Sequence, residues 1–576
     1  MKGHPLQLRP DRLILLSSIL IVLAFPPWDL SFLIWIALIP WFMVLNRANS
    51  YRNAFIQGLW LSFFMTLGGF YWVASVLHEF GNVPLPLSVL GLLLFGLVCQ
   101  PQFLITSPLF VFFKRTEGSW IHTAFRGALF ALFLGLVYVA CDWVIPKLFV
   151  DTLGHSLYRA RNLRQIADFG GAHLLTFLVF LCNFSLWKLL TGAQHSWKGA
   201  LRTEGSAVVL TAALCLASWY YGHERNKALS VALANPTGHL QVAVIQGNIG
   251  DFDKIAAERG IRGAGEKVMS TFFDLSEEAL NLTPKPDVLI WPETAYPSTF
   301  RTPQTTEEFA RDRQVESFVR KRGIPLLFGG YDHSFNKDYN SFFFLTPLPQ
   351  TGAGTLASLE QHELDLQIYH KNILLLFGEY IPGAERIRFL RDLFPQVGNF
   401  GRGEGPITLK IRSRNSKLQT VLAGPVICYE ALFPNYVIEA ARRGSQMILN
   451  ITNDSWFGPF GEPQLHLALV TFRSIETRLP QLRATNTGIS ALILPNGEIA
   501  QRTSIGQPEV MNARVPIISP VPTVLKKWGD WFGSFAFFCG IIGTAGLGLS
   551  ARSRAASQSQ RSAGSGKSRR FSHKRS

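Results

Sequence analysis

Val421-Leu422-Ala423-Gly424-Pro425-Val426-Ile427-Cys428-Tyr429-Glu430 is an uncharged, mostly apolar run that ends in a thiol and a carboxylate. A short apolar run of this kind reads as a buried strand. The helix expected next is Pro434-Asn435-Tyr436-Val437-Ile438-Glu439-Ala440-Ala441-Arg442-Arg443-Gly444. Proline suits its first turn, arginine its last turn and glycine its exit. Further strand-like runs fall at 240–246, 288–291, 325–329, 341–346, 446–451 and 489–494, with helical stretches between several of them, and Asn496-Gly497 marks a hairpin turn. Strands alternating with helices over 226–526 predict a layered α/β domain. Its length allows a substantial core without covalent staples.

The rest of the 576-residue chain has a different character. Apolar stretches lie at about 13–27, 30–46, 54–77, 86–113, 124–146, 169–191, 206–222 and 529–550. A helix needs roughly 20 residues to cross about 30 Å of hydrocarbon. The reading is a bundle of seven spans over 1–222, the α/β domain over 226–526, an eighth span at 527–550, and a disordered basic tail at 551–576. The tail carries eight Lys/Arg and no acid, half of the formal charge of +16. Beside a membrane span, this charge reads as attraction to anionic lipid rather than to nucleic acid. Lys2, Arg9, Arg12, Arg47, Arg52, Lys114, Arg115, Arg126, Lys188, Lys198 and Arg202 occupy alternate loops, which places both termini in the cytoplasm and the α/β domain on the opposite, periplasmic face of a bacterial inner membrane. Lys147, Arg159, Arg161 and Arg164 fall on the outer side against this rule. They form either a solvated basic face or phosphate contacts to a lipid headgroup, Arg159 among them.

Five of the six cysteines lie in apolar stretches, and Cys428 is the exception. The spacing gives no disulfide framework and no metal motif, so neither a metal nor a cofactor is expected. Glu293, in Val288-Leu289-Ile290-Trp291-Pro292-Glu293-Thr294-Ala295, also follows an apolar strand. Strand ends are where α/β sheets assemble sites. A thiol attacking an ester or amide needs a base, and Glu293 is the candidate. Lys371, in Tyr369-His370-Lys371-Asn372, can meet the oxyanion. Glu379 and Glu430 can orient Lys371 or assist proton transfer. Each residue also has a plainer reading: Cys428 as a small hydrophobe, Glu293 as a helix cap, Lys371 as a surface lysine.

Taken together, Trp-Pro-Glu-Thr-Ala at 291–295, His-Lys at 370–371, Phe-Gly-Glu-Tyr-Ile-Pro at 377–382 and Cys-Tyr-Glu at 428–430 resemble the carbon–nitrogen hydrolase (nitrilase) superfamily. With Val244-Ile245-Gln246-Gly247-Asn248-Ile249, Thr452-Asn453-Asp454-Ser455-Trp456-Phe457-Gly458 and Arg483-Ala484-Thr485-Asn486-Thr487-Gly488-Ile489, the chain more closely resembles the apolipoprotein N-acyltransferase family over nearly its whole length. The resemblance implies an αββα nitrilase-like domain. It implies a Glu293–Lys371–Cys428 triad, supported by Glu379, Glu430 and Tyr429. The implied reaction moves an acyl chain from a phospholipid, usually phosphatidylethanolamine, onto the cysteine as a thioester. The chain then passes to the α-amino group of a diacylglyceryl-cysteine apolipoprotein. Two departures stand out. Asn248-Ile249-Gly250-Asp251-Phe252 lacks the family's Pro and Trp, leaving Phe252 for the apolar contact. The stretch 372–376 is more apolar than usual. The stretch 373–377, ending at Phe377, and the pair Trp456-Phe457 are expected to shield the thioester from water.

Two other readings compete. A membrane-tethered amidase would use the same triad on a small soluble amide, with water as the acceptor. A transporter would need ionisable residues within its spans, and Asp142 is one of few.

Overall fold

Phe70 and Trp72 turn inward onto Phe149, at ring distances of 5.4 and 5.1 Å, and break an apolar helix there. The helices Tyr51–Gly69 and Val73–Glu79 on either side differ in direction by 63°. The computed structural model describes residues 9–546 apart from 80, 82, 117–125, 251–255, 258–260, 262, 349–363, 384–385, 387–388, 390–399 and 414–419. Phe252 and the tail 551–576 lie outside the described residues. Four helices are long and apolar enough to cross a membrane: Leu85–Arg115, Gly127–Val144, Leu163–Ala193 and Trp197–Ala234. The bent pair makes a fifth if counted as one span. The first, second and eighth expected spans form the shorter apolar helices Arg12–Ala24, Ser31–Arg47 and Trp531–Gly546. Thirteen helical residues, as in Arg12–Ala24, rise only about 20 Å.

The seventh apolar helix continues to Ala234, so residues 226–234 extend it rather than opening the α/β domain. Hydropathy falls at His223-Glu224-Arg225-Asn226-Lys227, and the alanines and leucines at 228–234 favour continuation of the helix beyond it.

Twelve strands follow among the described residues: β1 Gly238–Gln246, β2 Val288–Ile290, β3 Leu326–Ser334, β4 Lys337–Pro347, β5 Leu364–His370, β6 Leu409–Arg412, β7 Thr420–Ile427, β8 Met447–Thr452, β9 Gln481–Thr485, β10 Ala491–Ile493, β11 Ile499–Arg502 and β12 Glu509–Ile517. They form two six-stranded sheets, ordered β12-β1-β2-β3-β4-β5 and β11-β10-β9-β8-β7-β6. The runs β1-β2-β3 and β7-β8-β9 are parallel, so their carboxyl ends point the same way within each sheet. The remaining pairings are antiparallel.

Alternation along β1 sorts its side chains by face. Val242 and Val244 share one core with Val421, Ile427, Leu449 and Leu482 of the other sheet. Ala243 and Ile245 face Val268, Phe272, Val315 and Val319 on the helices Ala264–Leu280 and Thr306–Arg322. The outer face of the second sheet lies under the helices Pro434–Arg442 and Glu462–Thr477. Its core runs without interruption into that of the apolar helices, from Ile448 and Phe472 to Phe42, Tyr138 and Leu175.

Buried charge fixes the two parts against each other. Arg478, fully buried and left-handed at φ 55°, donates to Asp168 at 2.8 and 3.1 Å and to Gln165 Oε1 at 2.6 Å. Asp168 also accepts from Arg225 at 2.8 Å and Tyr221 at 2.7 Å. Gln165 reaches the Asn496 carbonyl at 2.9 Å, at the turn read from Asn496-Gly497. Most of the outer-side basic residues that oppose the loop-charge rule are likewise committed within the protein. Lys147 is buried against Asp142 at 2.7 Å, Arg159 pairs with Asp29 at 2.7 Å, and the buried Arg164 donates to the Tyr158 carbonyl. Asp142, considered above as a transport residue, is therefore an ion-pair partner.

Removing one member of a buried pair strands the other, at a cost of about 3–5 kcal/mol. Asp168→Ala is expected to destabilise the detergent-solubilised protein by that order, measured as thermal unfolding, while Asp168→Leu with Arg478→Met recovers most of the loss. A single substitution within about 1 kcal/mol of the parent would show that the pair does not hold the two parts together.

Candidate active site

β2 ends at Ile290, and three residues later Glu293 turns back beneath β3. Gly329 makes this approach possible, because a Cβ there would lie 2.6 Å from Glu293 Cα. Thr294, immediately after, is held at φ 50°. In the other sheet β7 ends at Ile427, and Cys428 sits at φ 49° at the start of the 3-10 turn Cys428–Leu432. Left-handed backbone at a residue other than glycine costs about 1–3 kcal/mol, and such strain concentrates where a side chain must be aimed.

Lys371 follows β5 and is buried. Its Nζ donates to Glu379 Oε1 at 2.8 Å and to Glu293 Oε1 at 3.2 Å. Asn340 Nδ2 bridges the same two carboxylates, at 2.7 Å to Glu379 and 2.8 Å to Glu293. The second oxygen of Glu293 accepts from the Asn453 amide at 2.9 Å, and that of Glu379 from the Leu375 amide at 2.8 Å. Burial opposes the Lys371 charge, but Glu293 and Glu379 outweigh it and hold the ammonium well above the ordinary lysine range. The Cys428 thiol is pushed up by burial first and by the negative charge of Glu293 second, against Lys371 and the Thr452 side chain. The resting sulfur therefore keeps its proton.

Glu430 is fully buried behind Cys428. It accepts from Tyr369 OH at 2.6 Å and from the amides of Ile427, Asn372 and Ile373 at 2.7, 2.5 and 3.2 Å. It thus joins the Cys428 turn to the segment carrying Lys371. Burial raises it to about 7 despite the donors from Tyr369, Ile427 and Asn372. Tyr429 donates to the Leu148 carbonyl, tying the turn to the membrane part.

Cys428 opens into a pocket lined by Leu375, Phe457, Leu465 and Leu469, with Trp72 from the break between Tyr51–Gly69 and Val73–Glu79 and Phe149 from the segment after Gly127–Val144. Phe457 meets Trp72 edge-on at 5.1 Å. Leu375, rather than Phe377, supplies the lining from the 373–377 stretch. Phe377 is 60% exposed because φ 62° turns it outward. Trp456 is 39% exposed beside the buried Phe457. Arg159 pairs with Asp29 and Tyr158 and is not among the pocket residues.

The structure also brings together groups not foreseen from the sequence: Asn340, and the cluster Asp454, Glu462, His466 and Arg483. Arg483 Nη2 lies 2.7 Å from Asp454, and His466 Nδ1 lies 3.2 Å from Asp454 and 3.4 Å from Glu462. The three anionic or imidazole residues offer metal-type ligand atoms within 4.8 Å of one another. Arg483 already brings a cation to that cluster, so it reads as an ion-pair network. Asp454 and Arg483 lie in two of the segments that carry the family resemblance, whereas Glu462 and His466 belong to no motif read from the sequence.

Residues 17–185 match the family model described as the apolipoprotein N-acyltransferase N-terminal domain, and residues 241–517 match that of the carbon–nitrogen hydrolases. An apolipoprotein N-acyltransferase from Bdellovibrio bacteriovorus is 32% identical, covering 94% of this chain and 94% of its own. One from Geobacter metallireducens is 29% identical, covering 90% of this chain and 91% of its own.

Glu430 gives a pH signature. An acid whose folded pKa is raised contributes stability that is full below its unfolded value, near ~4.3, and lost as pH rises through the folded value. Stability is expected to fall between pH 4.5 and 7, the ordinary and raised values for Glu430. In Glu430→Gln that part of the slope disappears, as read by chemical denaturation across this range. An unchanged slope would mean that Glu430 is ionised throughout.

Proposed function

Because the chain belongs to the apolipoprotein N-acyltransferase family, we propose that it acylates lipoproteins through a thioester on Cys428. The observation that carries this reading is the convergence of Glu293, Lys371 and Cys428 at strand ends, with Cys428 opening into a largely apolar pocket. One wall of that pocket comes from the connections between the membrane-type helices. A small soluble amide would need no such wall.

The chemistry follows from the charges. Glu293 takes the thiol proton as sulfur attacks the acyl carbonyl carbon of the lipid ester. The Lys371 ammonium meets the oxyanion. Glu379 and Asn340 hold Lys371 at its place between the carboxylates. As the C–O bond breaks, Glu293 returns the proton to the leaving lysophospholipid. The thioester divides one acyl transfer into two easier steps, and the α-amino group of a diacylglyceryl-cysteine apolipoprotein then receives the acyl chain. Tyr429 and Glu430 position the nucleophile turn, while Phe457 and Leu375 keep water from the thioester. Phosphatidylethanolamine is the proposed donor. Keeping both substrates at the bilayer avoids exposing acyl chain to water, at about 0.8 kcal/mol per CH₂.

We read the α/β part as the αββα arrangement of the nitrilase superfamily. The bent pair and the three shorter helices join the four long ones as eight spans. Both termini then face the cytoplasm, and the catalytic domain faces the periplasm of an inner membrane. The loop-charge pattern supports this orientation, now that Lys147, Arg159 and Arg164 are accounted for by protein partners.

Intact mass spectrometry after incubation with phosphatidylethanolamine tests the reading. The expected result is a hydroxylamine-labile acyl adduct on the parent protein, none on Cys428→Ser, and discharge by a diacylglyceryl-cysteine peptide. Lys371→Met is expected to slow adduct formation by about 10²–10³-fold, the usual loss for an oxyanion donor. Discharge by water alone would favour the hydrolase reading. An adduct on Cys428→Ser would exclude Cys428 as the nucleophile.

A further inference from the structure

The pocket that receives the Cys428 side chain has a second polar end. Glu462 and His466, on successive turns of the helix Glu462–Thr477, line it together with the cysteine. Both are more than nine-tenths buried. Each keeps one polar atom without a protein partner: Glu462 Oε2 and His466 Nε2. A buried polar atom left open in this way needs a partner, and two of them on one pocket wall beside a thiol are placed to meet a bound molecule.

The partnered atoms of the same residues set the chemistry. His466 Nδ1 faces Asp454 Oδ1 at 3.2 Å and Glu462 Oε1 at 3.4 Å, with Arg483 Nη2 at 3.1 Å. The two carboxylates favour a proton on Nδ1, which leaves Nε2 as the free basic nitrogen, the arrangement by which a carboxylate orients a catalytic imidazole. Burial and Arg483 lower the imidazolium, but the hydrogen bonds to Asp454 and Glu462 outweigh them and raise it. Burial, then the charge of Asp454, pushes Glu462 up to about 7, so an arriving cation would relieve a strained carboxylate.

We propose that Glu462 and His466 form the seat of a primary ammonium, the α-amino group of the acceptor, in the second half-reaction. The inference rests on the acyltransferase reading above. The acceptor enters as R–NH₃⁺ and lies against Glu462 Oε2. One proton passes to His466 Nε2. The freed lone pair attacks the thioester carbonyl carbon, forming the N–C bond. Collapse breaks the C–S bond, and a second nitrogen proton reaches the sulfur through Glu293. The products are the amide, the Cys428 thiol and one proton, which His466 releases. Loading deprotonates no amine, because the headgroup ammonium of phosphatidylethanolamine takes no part in the bonds made and broken, so proton removal by His466 serves transfer rather than loading.

The test separates the two halves. Full-length protein is first loaded from phosphatidylethanolamine, with the adduct followed by intact mass. A diacylglyceryl-cysteine peptide is then added and discharge is timed. At pH 7.5, above the ordinary imidazole value and still below that of the amine, His466→Gln is expected to slow transfer about 100-fold more than loading, the scale of a lost general base. That deficit shrinks to under about fivefold at pH 9, where the peptide amine, with an ordinary pKa of about 7.7–8.0, is already free. Glu462→Gln is expected to raise the peptide concentration needed for half-maximal transfer about tenfold or more, the scale of one lost hydrogen bond to a charged group. Equal slowing of loading and transfer, or a His466→Gln deficit that does not change with pH, would overturn the seat and mark the pair as structural. Parent protein that never loads would instead overturn the acyltransferase reading on which the seat depends.

Discussion

A buried ammonium between two carboxylates organises this protein. Lys371 lies between Glu293 and Glu379, and Asn340 closes the ring from the side. The cluster carries one positive and two negative groups, so it cannot also stabilise a resting thiolate beside it. With burial, that is why the Cys428 thiol is pushed up. It also explains the strained backbone. The carboxylate and the thiol approach from different sheets, with a left-handed residue at each, Thr294 immediately after Glu293 and Cys428 itself.

The same constraint reaches the membrane part. Glu430 binds the Cys428 turn to the segment after β5, and Tyr429 anchors that turn on the Leu148 carbonyl. Trp72 completes the pocket only because the apolar helix breaks at 70–72. Arg478 and Asp168 then hold the outer helix layer against the bundle. An acyl chain leaving the bilayer could thus reach the sulfur along an apolar surface.

Much of this was legible in the sequence. The strands ending at Glu293 and Cys428 are apolar runs followed at once by the reactive residue, and periodicity alone finds them. Lys371 was found through its neighbours rather than its strand. β5 is half exposed, with Asp365 and Gln367 among its residues, so it lacks an apolar run. The two sheets' order depends on pairing between distant segments, as does the meeting of His466 and Glu462 with Arg483. Phe377 misled, because an aromatic in an apolar stretch reads as buried, whereas its left-handed backbone turns it to the surface. Hydropathy also overstated the short spans, since runs such as 13–27 include turn residues beyond the helix that ends at Ala24.

The central claim is that Cys428 is a neutral thiol at rest, awaiting Glu293. Infrared spectroscopy of the S–H stretch tests it most directly, as the difference between parent and Cys428→Ser in lipid, so that the other five cysteines cancel. The account predicts an S–H band assigned to Cys428 at pH 7 that persists to pH 9. A missing band at pH 7, with the protein folded and able to load, would mean a preformed thiolate–ammonium pair with Lys371 and would contradict it.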